Sequence, residues 1–187
     1  MYLSDPSVSR SVSSPAIGTC EPVAQIRTEA LRQLLVYWYD KRGGRTFPAL
    51  SDIDPTDIPT VLGQIWLCDR LADSGRFRYR LAGEKINAFW GQSIAGKHLD
   101  EVVPPARLAS ATKKLRMACE LPSIIHETIC LSLAEEIARN GERVILPLSD
   151  DGVRVNVLLG ADHGNWGRDL EFDPYVSCTE TTTVTAL

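Results

Sequence analysis

The chain has 187 residues, 44% apolar and 24% charged, enough for one domain with a hydrophobic core and short for two. A formal net charge of -4 gives no general attraction to phosphate backbones, and no stretch is basic enough to supply a local one, so nucleic acid is excluded as a partner. No apolar run approaches the ~20 residues of a membrane-spanning helix, and MYLSDPSVSRSVSSPAIGTC has neither a basic start nor a continuous apolar segment. The expectation is a cytoplasmic protein with no membrane association.

Residues 1–22, rich in Ser and Pro, read as a mobile tail, and 163–187, ending in CTETTTVTAL, as a second one. The domain is then 23–162. It opens with AQIRTEALRQLLVYWYDKR, an amphipathic helix with Ile26, Ala30, Leu34, Tyr37 and Trp38 on one face, joined by Leu31 and Leu35. Lys41 and Arg42 suit the negative end of its dipole, and Gly43-Gly44 ends it. Asp54 before Pro55 predicts an N-cap and one short helical turn.

GQIWLCDRL and GRFRYRLAG, separated by ADSG, predict an antiparallel hairpin in which Phe77, Tyr79 and Leu81 share the buried face. After Gly83 the period changes, and Ile86, Phe89 and Trp90 form a helical stripe. Pro104-Pro105 opens a longer helix, ARLASATKKLRMACE, with Leu108, Ala111, Leu115 and Ala118 inward and Lys113, Lys114 and Arg116 pointing elsewhere. PSIIHETICLSL predicts a strand with Ile125, Ile129 and Leu131 on one side and His126 on the other. ERVILPL and GVRVNVLLG, joined by SDDG, predict the last hairpin, with Val153, Val155, Val157 and Leu159 alternating against Arg154, Asn156 and Leu158. The sum is an α+β fold: five antiparallel strands, short helices across one face, and an N-terminal amphipathic helix.

The order and spacing of LLVYWYDKRGGRTFP, DIDPTDIP, FRYRLAGEKINAFWGQSIAGKHLDEV and VILPLSDDGVRVNVLLG resemble a bacterial family of short, single-domain PAS sensor proteins. The resemblance runs from about residue 24 to 162. It implies a sensory module whose five-stranded sheet and crossing helices enclose a cavity for a cofactor or small metabolite. Phe89 and Trp90 would wall that cavity or fill a closed core. Flavin-binding photosensors of this fold carry a reactive cysteine on the helix after the second strand, and GEKINAFWG has none. Haem-binding members often carry a histidine on the long helix, and PPARLASATKKLRMACE has none, which leaves His126 on the next strand.

Catalytic chemistry finds little support. The pairs Asp100-Glu101, Glu135-Glu136 and Asp150-Asp151 read as solvated carboxylates, and no glycine pattern forms a phosphate cradle. Five scattered cysteines without a C-x-x-C pair read as reduced thiols, and three histidines share no ligand spacing with them, so no metal site is expected. Arg76, Arg78 and Arg80 form a basic stripe on the second strand, facing solvent, an anion or the acidic DIDPTD loop.

The reading is a non-enzymatic module that binds a small molecule or partner protein and relays a signal by association. A ligand-free interaction scaffold and a haem or flavin redox sensor are the alternatives, and the cofactor is unassigned. The candidate ligand-binding residues are Tyr79, Phe89, Trp90, Leu115, His126 and Asn156. Asn156 is chosen because an inward amide wants a partner. The wide apolar surface of the first helix predicts a homodimer through Leu34, Leu35 and Trp38.

Overall fold

The computed structural model describes residues 21–133, 137–164 and 176–187. Of the expected tail at 1–22, residues 1–20 lie outside these, as does the pair Glu135-Glu136, while Glu21 and Pro22 belong to a helix. A short helix α1 (Glu21–Gln25) leads into α2 (Glu29–Arg42). The sequence predicts a single helix here, but the chain breaks between them because Glu142 intervenes. The N–H groups of Arg27 and Thr28 donate to Glu142 Oε1 and Oε2 at 2.9 and 2.7 Å. The Thr28 side chain makes no capping bond, so this remote carboxylate satisfies donors at the start of α2.

The sheet contains β1 (Ile65–Arg70), β2 (Phe77–Ala82), β3 (Ser123–Leu133), β4 (Ile137–Leu148), β5 (Val157–Gly164) and β6 (Val176–Ala186). Their spatial order is β2-β1-β5-β4-β3-β6 and every pairing is antiparallel. The α+β antiparallel architecture is the expected one, with six strands in place of five. The stretch 163–187, expected as a tail, holds the end of β5 and all of β6. TETTTVTA is β-branched and polar on both faces, so it lacks the alternation that marks a half-buried strand, although its propensity is high.

One face of the sheet is covered by α2, which packs on β4 and β5. Leu31, Leu34, Leu35 and Trp38 are fully buried there with Val144, Leu146, Leu148, Val157, Leu159 and Ala161. The Trp38 indole donates to Pro147 O at 3.0 Å, so its one polar group is satisfied. Leu34, Leu35 and Trp38 therefore cannot form the subunit contact predicted for them. The apolar width that suggested a second copy is used within the same chain.

The other face carries α3 (Glu84–Trp90), α4 (Leu99–Val102) and α5 (Pro105–Glu120). Two glycines set the geometry on this side. A side chain at Gly83 would meet Leu62 O at 2.3 Å, so the start of α3 can lie against the 3-10 turn Leu62–Gln64 only without one. At Gly160 a Cβ would sit 2.0 Å from the Trp66 ring, because that indole lies across β5.

Two hairpin details depart from the predicted alternation. The β1–β2 register shifts at Leu67/Cys68, pairing Cys68 with Tyr79 and Leu67 with Leu81, so Arg80 is the extra residue. This bulge keeps Phe77 and Tyr79 buried but turns Leu81 outward, 42% exposed. After β4 the chain does not resume strand geometry until Val157, and Val153 is 77% exposed. Asp151 organises the turn: Val153 and Arg154 donate their N–H groups to its Oδ1 at 2.9 and 3.0 Å. Those backbone bonds, Arg154 first, hold its carboxyl down at about 2.

Candidate functional site

The face beneath α5 carries a row of polar residues set by strand register. Asp162 on β5 lies opposite Arg143 on β4, Arg143 opposite Glu127 on β3, and Glu127 opposite Thr182 on β6. Because these are direct cross-strand partners, their side chains leave the sheet on the same side. Arg143 donates to Asp162 through Nε (2.6 Å) and Nη2 (3.2 Å), and Thr182 Oγ1 donates to Glu127 Oε1 at 3.1 Å.

From above, α5 lowers two cations onto this row. Lys114 Nζ pairs with Glu127 Oε1 and reaches Glu180 Oε2 at 2.8 Å, while Arg107 Nη1 meets Glu180 Oε1 at 2.9 Å. Lys114 was expected to point away from the core, yet its side chain is only 14% exposed. Arg107, Ala111, Lys114 and Ala118 repeat at four, three and four residues, which puts them on one helical face. Burial alone would push the Glu180 carboxyl up, but the Lys114 hydrogen bond and the charges of Lys114, Arg107 and Arg143 outweigh it and leave it below the ordinary range.

Next to this network lies a cavity of about 70 Å³. Trp66, Tyr79, Ile86, Trp90, Leu115 and Ile145 form much of its wall, with the charged row along one side. Trp66 and Tyr79 meet edge to face at 5.9 Å between centroids. Burial, with Cys68 and Asp162 nearby, raises the Tyr79 hydroxyl's pKa well above its usual value, so it stays protonated. Glu127 is fully buried, and among the described residues its Oε2 accepts no hydrogen bond; Arg143 Nη1 approaches to 3.5 Å. A buried carboxylate oxygen left in this state is costly.

Of the six candidate residues, Tyr79, Trp90 and Leu115 meet at this cavity, and Phe89, His126 and Asn156 do not. Phe89 lines an adjoining open groove of about 440 Å³, with Lys85, Ile129 and His163, that shares Ile86, Arg143 and Asp162 with the cavity. His126 projects from the α2 face of the sheet, where its Nε2 lies 2.7 Å from Glu142 Oε1. A histidine committed to that carboxylate is in no position to ligate a group beneath α5. Asn156 sits in the β4–β5 connection, where its Oδ1 accepts the Asp150 N–H at 2.9 Å, so its amide braces a turn.

Sequence reading missed Lys114, Glu127, Arg143, Asp162 and Glu180. One signal was available: Glu127 falls between Ile125 and Ile129 on the same side of a strand, a charge in an otherwise apolar row. The basic stripe is also resolved, since Arg76 pairs with Asp100 at 2.8 Å and both Arg78 and Arg80 with Asp69, at 3.5 and 2.8 Å. The DIDPTD loop instead takes Lys41, at 3.1 Å from Asp57. Cys68 and Cys119 are free, buried thiols. Burial raises Cys68 and pushes Cys119 up to about 12, which suppresses the reactive thiolate. Among the described residues no three His, Cys, Asp or Glu side chains converge as metal ligands would, and no helix is long and apolar enough to cross a membrane.

An antiparallel sheet with short helices and a cavity on one face is the arrangement that the sequence resemblance implied. The sequence model of the PAS domain matches residues 26–161. The chain belongs to the PAS-domain family. PAS domains are in general sensory and signalling modules rather than catalysts. The matched span runs from just before α2 to Ala161 of β5, so β6 lies outside it. This PAS domain therefore draws two members of its polar network, Glu180 and Thr182, from a strand beyond the matched region. No curated protein matches the chain.

Proposed function

We propose that this PAS domain is a non-catalytic sensory module that takes up one small, neutral, hydrogen-bonding molecule in the cavity beneath α5. It then relays that event by association with a partner protein. The carrying observation is Glu127 Oε2, buried against the cavity without a hydrogen bond. A donor placed there would remove the desolvation cost of that buried oxygen. Tyr79, able to donate and accept, lines the same cavity and could hold the other end of the molecule.

Size and charge narrow the class. About 70 Å³ of space for water centres is several times the roughly 10–15 Å³ that one water needs, room for a molecule of a few heavy atoms. Arg107, Lys114 and Arg143 are matched by Glu127, Asp162 and Glu180, so the lining has no surplus charge to attract an ion. Small amides, ureas and alcohols fit; haem and flavin need a cavity in the usual range of roughly 300–1,000 Å³.

The test is a thermal-shift titration with a panel of such molecules on the full chain, Glu127→Leu and Tyr79→Phe. At a concentration 100-fold above Kd a ligand adds about 2.7 kcal/mol of stability. The expected result is a rise in Tm for the parent protein that Glu127→Leu loses and Tyr79→Phe reduces. No rise with any member, or an equal rise in Glu127→Leu, would overturn the reading. The second reading is a ligand-free scaffold, favoured by the small cavity and by charges already paired within the chain. A crystal structure with only water at Glu127 Oε2 would support it.

A further inference from the structure

The two edges of the sheet are finished differently. The outer edge of β2 is covered by its own chain: Tyr79 N–H donates to Lys97 O at 2.9 Å, and Gly96 N–H donates to Tyr79 O at 2.7 Å. A bridge between Arg78 and His98 extends the cover. At the other edge β6 pairs with β3 along its whole length, from Val176 opposite Leu133 to Ala186 opposite Ser123. Among the described residues nothing pairs with its outer side.

An open edge presents alternate N–H and C=O groups to any incoming strand, and proteins usually blunt it with lysine, proline, a bulge or an inward charge. From Thr179 to Ala186 the sequence TETTTVTA has none of the first two, and its pairing with β3 runs without a register shift. The one charge, Glu180, is turned under α5 and held by Arg107 and Lys114. Val184 is 43% exposed. Because that inward charge is already neutralised within its own chain, the edge remains a template for strand addition.

We propose that the β6 edge is an interface for a second copy of this chain, joined antiparallel about Thr182 into one continuous sheet. A two-fold axis normal to the sheet requires each central residue to face itself, so that side chains on both copies keep the same face. Centred on Thr182, Thr181 faces Thr183 of the second copy, Thr179 faces Thr185, and Glu180 faces Val184. Cross-strand threonine pairs favour pairing, and no like charges lie opposite each other. The edge is thus self-complementary without any other sequence.

The test is sedimentation at tens of micromolar, with circular dichroism as a check on folding. The parent chain is expected near twice its 20.6 kDa mass. T181K/T183K sets lysine opposite lysine twice across the axis, and its mass is expected to halve. T181K/T183E sets lysine opposite glutamate in the same positions and is expected to remain dimeric. T181E/T183E, expected to be monomeric, replaces the lysine variant if that fails to fold. A monomeric parent chain would overturn the proposal. So would equal masses for the like-charge and opposite-charge variants, since the dimer would then use another face or another register.

Discussion

The two faces of this sheet are built on opposite principles. Under α2 the contact is apolar apart from the buried Glu142–His126 pair at the start of the helix, and its one indole donor has a backbone acceptor. Under α5 the sheet presents a row of carboxylates and a guanidinium, answered by Lys114 and Arg107 from the helix. The first arrangement gains stability from each buried side chain on its own. In the second, charges taken out of water hold one another, and removing one strands another. A face of the second kind is sensitive to small changes in its contents, which is what a sensory module needs from the side that carries its cavity.

Substitutions can break this comparison, and Trp38→Ala has the largest expected effect. It removes a fully buried indole from the α2 face and is expected to cost about 3–5 kcal/mol, read from urea unfolding. Its cost should add to that of any substitution under α5, because the two sites lie across the sheet. Lys114→Met should cost nearly as much, about 3–5 kcal/mol, by leaving Glu127 without its nearest cation. Here the second change should help: Lys114→Met/Glu127→Leu is expected to be more stable than Lys114→Met alone. If the double variant is less stable than the single one, the α5 face behaves like the α2 face and the contrast is gone.

Gly160→Ala has a smaller expected effect, about 1–3 kcal/mol from overpacking, because the new methyl group must displace the Trp66 ring. It should also abolish any ligand-induced rise in Tm, since Trp66 walls the cavity. A Gly160→Ala protein with unchanged Tm would show that the ring can move freely.

Acid dependence is the smallest effect and involves one carboxylate from each face. Burial tends to raise Glu142 and Glu180 alike. Thr28, Arg27 and His126 outweigh it at Glu142, and Lys114 and Arg107 do so at Glu180, so both lie below their ordinary value of 4.5. A folded-state value below the unfolded one means stability fully present above about pH 4.5 and lost as pH falls through the folded values. Unfolding midpoints measured from pH 7 to 3 should fall below pH 4.5, and Glu142→Gln or Glu180→Gln should each flatten the decline. An unchanged slope in both would place the acid response elsewhere.

Much of the α2 face was legible because it follows simple periods. Leu31, Leu34, Leu35 and Trp38 repeat as a helix, and Val144, Leu146 and Leu148 as a strand. The same reading went wrong on what that helix touches, since periodicity reports a buried face without naming its cover. The α5 face was harder. Lys114 was read as solvent-facing because lysine usually is, and Glu180 belongs to a strand whose polar sequence gives no alternation. Asn156 was placed inward by extending an alternation into a turn that Asp151 had already claimed.

The sequence by itself determined the element types, most of their order and the α+β class, because hydrophobic period, proline, glycine and capping residues act over a few positions. It also carried the PAS resemblance, in motifs whose spacing survives without knowledge of contacts. Only the tertiary structure decided that β6 completes the sheet, that Arg80 is a bulge, and that six charges from α5 and four strands converge beside Tyr79 and Trp90. Those outcomes depend on register and on neighbours dozens of residues away. The energy of a buried charge is set by the partners that surround it, and one position in a sequence does not contain them.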